Sequence, residues 1–446
     1  MEHLQPEARP ASGGVVAPNL EGRIPFTASK RESVAALLMY ALAYGYIRMC
    51  GELTSYELTL CAKILLAAFT LGFVALTEYL HRDSPRARES WIWLGCMTAI
   101  ACSVILERGR AWDDRFFPML FLHIFAVWWV LSRTGTLLEG ESGHLLPLDA
   151  LDGFFLFPFS GFFLRLRTVG FTLTRLRGER KGKKPEAEDI VWSVVMSAAS
   201  LGLLALAASL LISADSGFAA LLDGVVELFR FEWDIDLSVF LLRLLLSLPV
   251  GAYLYGLLGG TLREDKAALR RRSAAIAEQM EMLRGVPERV WLVLLALFCA
   301  LYALFFAVQG QYLFGAFTRT LPEGFVVAEY ARQGFFELCK VMAVNFALLW
   351  LVTRSSKADV RQQKAARALC LVLLAESFLL AVVAFSKLAL YIDCFGFTPK
   401  RLQSTWLVCV LAFGCGCAAY SLAYGKKTFR VWMGFGAVTL SLLCLY

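Results

Sequence analysis

Blocks of about 18–25 mostly apolar residues, separated by shorter polar connections, repeat along most of the chain. A block of this length crosses a bilayer as an α-helix, because the hydrocarbon core is about 30 Å thick and a helix rises about 1.5 Å per residue. The pattern predicts an all-α integral membrane fold, a bundle of about eleven transmembrane helices with interfacial amphipathic segments. The predicted spans are Ser33–Met49, Glu57–Leu80, Trp91–Leu106, Phe116–Leu131, Ile190–Ser213, Leu237–Gly260, Val290–Gln309, Phe335–Val352, Ala366–Ile392, Leu402–Gly425 and Val431–Leu445.

The pattern also divides the chain into four parts. Residues 1–32 are polar and are expected to form a disordered cytoplasmic tail, and residues 33–132 hold the N-terminal transmembrane helices. Residues 133–189 are expected to form a cytoplasmic interfacial segment, aromatic at first and then basic, and residues 190–446 form the C-terminal transmembrane bundle. In the connection Glu264–Gly285, good helix formers predict a further helix outside the membrane.

The distribution of charge predicts the orientation. Only 18% of the residues are charged, whereas soluble domains carry about 25%. If the N-terminus lies inside, roughly three-quarters of the Lys and Arg in the connections lie on the cytoplasmic side, as the positive-inside rule requires. We therefore expect a plasma (inner) membrane protein with a cytoplasmic N-terminus and the C-terminus outside. The net charge of +7 belongs to these short connections, so it does not indicate a nucleic-acid partner.

The segment from Phe154 to Lys184 combines six phenylalanines with a following run of arginines and lysines. Its apolar part is about eleven residues long, which is too short to span a bilayer. Rings in the headgroup zone with cations beside them are typical of an interfacial segment that binds anionic lipid. The alternative is a re-entrant segment packed inside the bundle.

Charged residues within the spans are costly, so each needs a partner or a function. The predicted intramembrane polar site consists of Glu337, Lys340, Glu376 and Arg243. Glu337 and Lys340 are three residues apart and are expected to pair directly, with Glu376 and Arg243 as further partners. Lys387 is interpreted as a side chain that extends along lipid to an interface.

Motifs for soluble chemistry are missing: the sequence contains no GxGxxG in a strand–helix setting, no phosphate-binding GxxxxGK[ST], no HExxH and no GxSxG. The twelve cysteines have no CxxC or zinc spacing. We therefore predict no cofactor and no metal site. The candidates for catalysis are the paired carboxylates Asp113 and Asp114 and the intramembrane His123, but neighbouring arginines and aromatic packing explain these residues more simply.

Two short motifs are expected to lie at the outer face. AEYARQGFFELCK contains Glu329, Tyr330 and Arg332, and YIDCFGFTPKRL contains Tyr391, Thr398 and Arg401. In the second motif, Gly396 permits a tight turn and Thr398 caps the next helix. Arg401 then lies at a helix start, where its charge predicts an acidic partner, with Glu329 as one candidate.

Together with DGFFLFPFSGFF (Asp152–Phe163), these motifs resemble an uncharacterised family of bacterial polytopic membrane proteins, the domain-of-unknown-function group 4153/4173. The resemblance extends from Leu148 to the C-terminus. It implies a multi-pass membrane protein, and because the family has no established activity it transfers no catalytic residues.

Three functions are compatible with these features. The first is a transport-like protein whose intramembrane polar site lines a path for an ion, a proton or a polar headgroup. The second is a non-catalytic membrane scaffold or regulator, in which the charges only hold the bundle together. The third and least favoured is an enzyme acting on a lipid-linked substrate through Asp113, Asp114 or His123.

Overall fold

The computed structural model describes residues 26–53, 55, 58–106, 112–178, 237–318 and 327–445. These residues form fourteen α-helices and one π-helical turn, and the described chain contains no strand, which confirms the all-α fold. The helices are α1 (Lys30–Cys50), α2 (Leu60–Leu80), α3 (Glu89–Leu106), α4 (Trp112–Thr134), α5 (Leu146–Leu151), the π-helix (Asp152–Leu156), α6 (Phe157–Ser160), α7 (Leu164–Gly178), α8 (Leu237–Arg263), α9 (Lys266–Met282), α10 (Glu288–Thr318), α11 (Val327–Ser355), α12 (Lys364–Phe395), α13 (Pro399–Tyr424) and α14 (Phe429–Leu445).

Ten segments of the described chain are long and apolar enough to cross a membrane. Nine of them coincide with predicted spans, and α14, at 17 residues, is a shorter apolar helix at the position of the last one. The tenth is the helical stretch Leu146–Leu176, which was not predicted to span. The predicted span Ile190–Ser213 lies outside the described residues.

The helices pack around two apolar cores. The first lies among α1 to α4, α6 and α8, with Met39, Trp129 and Leu258 fully buried. The second lies among α10 to α13, around Leu295 and Leu373. The last helix, α14, contributes Ala437 and Leu440 to the first core while packing on α13, and so it joins the two.

One end of the bundle is held by ion pairs between helix ends; we call it the Lys30 end, because α1 begins there. Ser29 and Glu32 form a capping box that starts α1 three residues before the predicted Ser33. The pairs join the start of α1 to the end of α8, the end of α2 to the end of α4, and the start of α3 to the start of α14: Glu32–Arg263 (2.6 Å), Glu78–Arg133 (3.0 Å) and Glu89–Arg430 (3.4 Å).

Buried polar groups at this end are mostly well bonded. The Arg133 side chain, 3% exposed, donates to the Glu78 carboxylate and to the carbonyl oxygens of His81 and Ser84. Burial, with Arg133 nearby, lowers the pKa of His81 to about 4, so its imidazole is neutral at pH 7. The buried charge of Arg133 at the Lys30 end is therefore paired.

The aromatic and basic segment packs into the bundle, which was the alternative to an interfacial position. It begins at the Lys30 end, where Asp149 accepts from the Leu138 amide (2.8 Å) and Asp152 binds Arg272 of α9 (2.7 and 3.0 Å). The chain then turns at Gly161, where a Cβ would lie 2.6 Å from the Gly256 carbonyl oxygen of α8. Two helices thus approach so closely that only glycine fits.

The segment returns to the end where it began. Along α7, the Thr172 hydroxyl donates to Ser33 (2.8 Å) and the Phe171 ring meets Phe26 edge-on, with both partners at or before the first turn of α1. Although Leu146–Leu176 is long enough to span, its two ends lie at the same end of α1. The segment is a helical hairpin packed against α1 and α8.

The close contact between hairpin and α8 predicts a marked effect of Gly256→Ala. The added Cβ would overlap the Pro158 carbonyl oxygen, which is backbone and cannot move aside. We expect the free energy of unfolding in detergent to fall by about 1–3 kcal/mol, the usual cost of overpacking. Gly95→Ala is the control, because a Cβ on Gly95 of α3 meets nothing within 4 Å. Equal stability of the two variants would contradict the hairpin packing.

Candidate functional site

The described charged residues of the predicted polar site lie on three helices. Glu376 is on α12, Glu337 and Lys340 are on α11, and Arg243 is on α8. Glu376 lies next to Cys299 and Tyr302 of α10, whereas the Arg243 guanidinium lies beside Gly51 at the end of α1. Arg243 therefore belongs to the first core, and no contact of the described residues pairs it with Glu376. The expected Glu376–Arg243 partnership was wrong, because α8 packs on α1 and the hairpin rather than on α12.

Glu376 is the most unusual of these groups. Its side chain is half-buried, and its Oε2 atom is buried without a hydrogen-bond partner among the described residues. The thiol of Cys299 lies beside the carboxyl group, and no ion pair of the described residues includes it. A carboxyl group in such a position is costly when ionised, unless a proton or a cation accompanies it.

A chain of buried polar side chains links the three helices beside Glu376. The Tyr302 hydroxyl donates to Asn345 Oδ1 (2.6 Å), Asn345 Nδ2 donates to Ser377 Oγ (2.8 Å), and the Ser377 hydroxyl donates to the Leu373 carbonyl oxygen (2.7 Å). Asn345 and Ser377 are 2% and 1% exposed. The chain of hydrogen bonds therefore fixes α10, α11 and α12 relative to one another next to Glu376, whose Oε2 atom is unbonded.

These residues lie near the middle of their helices. Counted from the helix ends at the Lys30 end, the rise of about 1.5 Å per residue places Tyr302, Asn345 and Glu376 at a depth of about 15–21 Å. The hydrocarbon core is about 30 Å thick, so the cluster lies near its centre. Water there is scarce, and the polar groups depend on one another.

A second polar group lies farther along α12. Lys387 is only 1% exposed, and the Glu337 carboxylate on α11 interacts electrostatically with its ammonium group. The interpretation of Lys387 as a side chain that reaches along lipid was wrong, because the side chain is buried inside the bundle. Glu376 and Lys387 are eleven residues apart, and about 1.5 Å per residue separates them by about 17 Å along the helix.

The expected pair Glu337–Lys340 is not formed among the described contacts. Both side chains are exposed and lie in the first two turns of the span Phe335–Ser355. The Glu337 charge instead acts on Lys387 of the neighbouring helix. The spacing along α11 predicted Lys340 as the partner of Glu337. The neighbouring helix α12 instead supplies Lys387, which is more buried.

In the second outer motif, the predicted turn and cap are confirmed. Gly396 has a φ of +78°, which favours glycine, and Thr398 caps α13 by accepting from the Arg401 amide. Arg401 donates to the Phe395 carbonyl oxygen (2.7 Å) and lies over the Tyr391 ring, 4.2 Å from its centroid. The negative end of α12 thus takes the place of the expected acid.

The first outer motif is on α11, but the side chains of Glu329, Tyr330 and Arg332 lie outside the described residues. The expected contact between the two outer motifs therefore stays a prediction. The side chains of Asp113 and Asp114, at the start of α4, also lie outside that part of the chain.

His123 is bonded through both ring nitrogens. Nε2 faces the Tyr46 hydroxyl at 2.6 Å and Nδ1 faces the Met119 carbonyl oxygen. The carbonyl requires a proton on Nδ1, so Nε2 accepts from tyrosine. A histidine held in this way matches the expected packed, hydrogen-bonded residue. Within the described residues, no group of three His, Cys, Asp or Glu side chains is arranged to hold a metal.

Sequence reasoning missed Asn345, Tyr302 and Ser377. The predicted site contains only charged residues, whereas an asparagine within the apolar run Val341–Val352 is a comparable signal. A buried side-chain amide needs a donor for its carbonyl oxygen and an acceptor for its NH₂ group. This need predicts that Asn345 contacts other helices.

The fold and site define the class of this molecule: an all-α, multi-pass membrane protein with a polar cluster between three helices. The chain belongs to the family described as Domain of unknown function (DUF4153), whose model matches residues 94–446. This confirms the resemblance and extends it toward the N-terminus from Leu148. No curated protein and no solved structure matches the chain.

The central position of Asn345 predicts that Asn345→Ala destabilises the bundle. The change removes hydrogen bonds to two other helices, and such bonds in membrane proteins contribute about 0.6 kcal/mol each on average. We expect the free energy of unfolding in detergent to fall by about 1–2 kcal/mol. The control is Thr353→Ala on the same helix, because that hydroxyl bonds only to carbonyl oxygens of its own helix, at Leu349 and Trp350. Identical losses in both variants would contradict the interhelical role.

Proposed function

We propose that this protein binds a proton or a small cation at Glu376 and moves it across the plasma membrane of a bacterium. The observation that carries this proposal is the buried Oε2 atom of Glu376, which has no hydrogen-bond partner in the described part of the chain. A structural carboxylate at this depth would be expected to have a cationic partner, as Glu78 and Glu89 have at the Lys30 end.

The neighbouring polar chain supports a binding function. Tyr302, Asn345 and Ser377 bond to one another and not to the carboxyl group, so they hold the helices in position while the carboxyl group stays available. Such preorganisation reduces the cost of binding, because little has to be reordered when the ligand arrives.

Lys387 and Glu337 supply polar groups between Glu376 and the end of α12 opposite the Lys30 end. A path along α12 would therefore pass a carboxyl group at the centre and a charged pair nearer the far end. Intramembrane ionisable residues arranged in this way are typical of proton and ion pathways.

The orientation and lipid contacts are part of the proposal. The Lys30 end carries many basic residues, among them Arg263, Arg270 and Arg271, and the positive-inside rule places it in the cytoplasm. The N-terminus is then cytoplasmic and the C-terminus lies outside. The exposed side chains Phe155, Phe159 and Arg167 support binding of anionic lipid by the segment Phe154–Lys184.

A scaffold or regulator is the second candidate. Helix α9 lies outside the predicted spans, and Met282 and Leu283 at its end are 73% and 64% exposed. Exposed apolar side chains on a helix of this kind suit a protein partner. An enzyme acting on a lipid-linked substrate is favoured least, because both nitrogens of His123 are already bonded.

Glu376→Gln tests the proposal, because glutamine keeps the size of the side chain and removes its charge. In proteoliposomes we expect proton or monovalent-cation flux to fall at least tenfold, while abundance and thermal stability stay unchanged. The control is Glu281→Gln on α9, an exposed acid outside the candidate spans, which leaves the flux unchanged.

Two other outcomes contradict transport. Equal flux in wild type and Glu376→Gln would remove Glu376 as the site. If Glu376→Gln fails to fold and the wild type shows no flux, the scaffold is favoured, with Glu376 as part of a structural network.

A further inference from the structure

The Arg165 guanidinium is a second anomaly, in the first core and far from Glu376. It lies at the start of α7, just after the turn of the hairpin, and is 7% exposed. Its Nε donates to the Ala36 carbonyl oxygen of α1 (3.0 Å), and its Cζ lies 4.9 Å from the centroid of the Tyr40 ring. A buried arginine normally faces a carboxylate, because an unpaired buried charge is costly.

No carboxylate compensates Arg165 within the described residues. The nearest acid on α1, Glu32, accepts from the Ser29 amide and from Arg263. The ionisable groups that act on Arg165 are the phenols of Tyr40 and Tyr255, and neither is a carboxylate. The positive charge of Arg165 therefore has no counter-ion among the described residues.

The two terminal nitrogens of Arg165 also have no acceptor in the described part of the chain. Neither nitrogen is among the fully inaccessible, unbonded side-chain atoms of the described residues. Each is therefore partly accessible. Nε is bonded and fixes the guanidinium plane, and Nη1 and Nη2 are left as two free donors. This is the arrangement with which arginine binds two oxygens of one oxyanion.

Small residues of the neighbouring helices make room around this group. A Cβ on Gly251 of α8 would lie 3.2 Å from Nη1 and 3.3 Å from the Ala43 Cβ of α1. Counted from the Lys30 end, Tyr40 and Gly251 lie at a depth of about 15–18 Å at 1.5 Å per residue. At that depth an anion without a cationic partner is unstable, and a cation without an anion is equally so.

We propose that Arg165 binds an oxyanion, a phosphate or carboxylate group, between α1, α7 and α8. The group reaches it either as the headgroup of an anionic lipid or as a small soluble anion. The site is independent of Glu376, because it lies in the other apolar core.

Binding is tested on the full-length protein in nanodiscs. In one arm, inorganic phosphate or acetate is added to discs of phosphatidylcholine, with chloride at equal ionic strength as the reference. In the other arm, increasing fractions of phosphatidic acid are built into the disc. The readout is the midpoint of thermal unfolding, because a ligand that binds only the folded state raises it with concentration.

The variants isolate the guanidinium. Arg165→Gln is expected to weaken the dose-dependent stabilisation at least tenfold, and Arg165→Lys, which keeps the charge but loses the fork, several-fold. Arg271→Gln is the control, because Arg271 is an exposed arginine on α9, outside the hairpin, and it keeps the wild-type response.

Each outcome decides the proposal. Stabilisation by phosphatidic acid alone identifies a lipid headgroup, and stabilisation by phosphate or acetate as well identifies a soluble anion. The proposal fails if neither arm stabilises the wild type, or if Arg165→Gln responds as the wild type does. If Arg165→Gln does not fold, Gly251→Ala decides: it keeps the charge and fills the space beside Nη1, so an unchanged response overturns the site.

Discussion

The structure depends on one constraint: in the hydrocarbon core, a polar group must find its partner within the chain. Most of the buried polar groups do. Glu89, 3% exposed, accepts from the Trp93 indole and the Ser142 amide, and Arg430 lies beside it. Against this background, the unbonded Oε2 atom of Glu376 and the uncompensated Arg165 are two exceptions among the described residues. Each keeps a charge-bearing group available at membrane depth, and this defines the two candidate sites.

Small residues give the chain the means to meet this constraint. Gly161 and Gly256 bring the hairpin against α8, and Gly414 lies under the Trp432 indole, where a Cβ would be 2.7 Å away. Without a hydrophobic force between helices in lipid, such close packing and interhelical hydrogen bonds hold the bundle together. The aromatic segment has only about eleven apolar residues, too few to cross the bilayer. It instead folds back as a hairpin, and this fold places Arg165 at membrane depth.

Features that depend on one segment could be predicted from the sequence, and features that depend on neighbours could not. Hydropathy located nine spans, and turn chemistry located the Gly396 turn and the Thr398 cap, because each signal is local. The partners of Glu376, Glu337 and Lys387 depend on which helices touch. Helical spacing shows the face on which a residue lies but not the helix opposite. Arg243 was assigned to Glu376 on balance of charge alone, whereas α8 packs in the other core.

The proposed function requires that Glu376 stay available for a proton or a cation. Infrared difference spectroscopy of the protein in nanodiscs reads the protonation of a buried carboxyl group directly, through its C=O stretching band. We expect a protonated-carboxyl band that is absent in Glu376→Gln. The band disappears if the site takes up an added monovalent cation, and it shifts if protons are exchanged for deuterons. A spectrum that is identical in the wild type and Glu376→Gln, under every ionic condition, would contradict it.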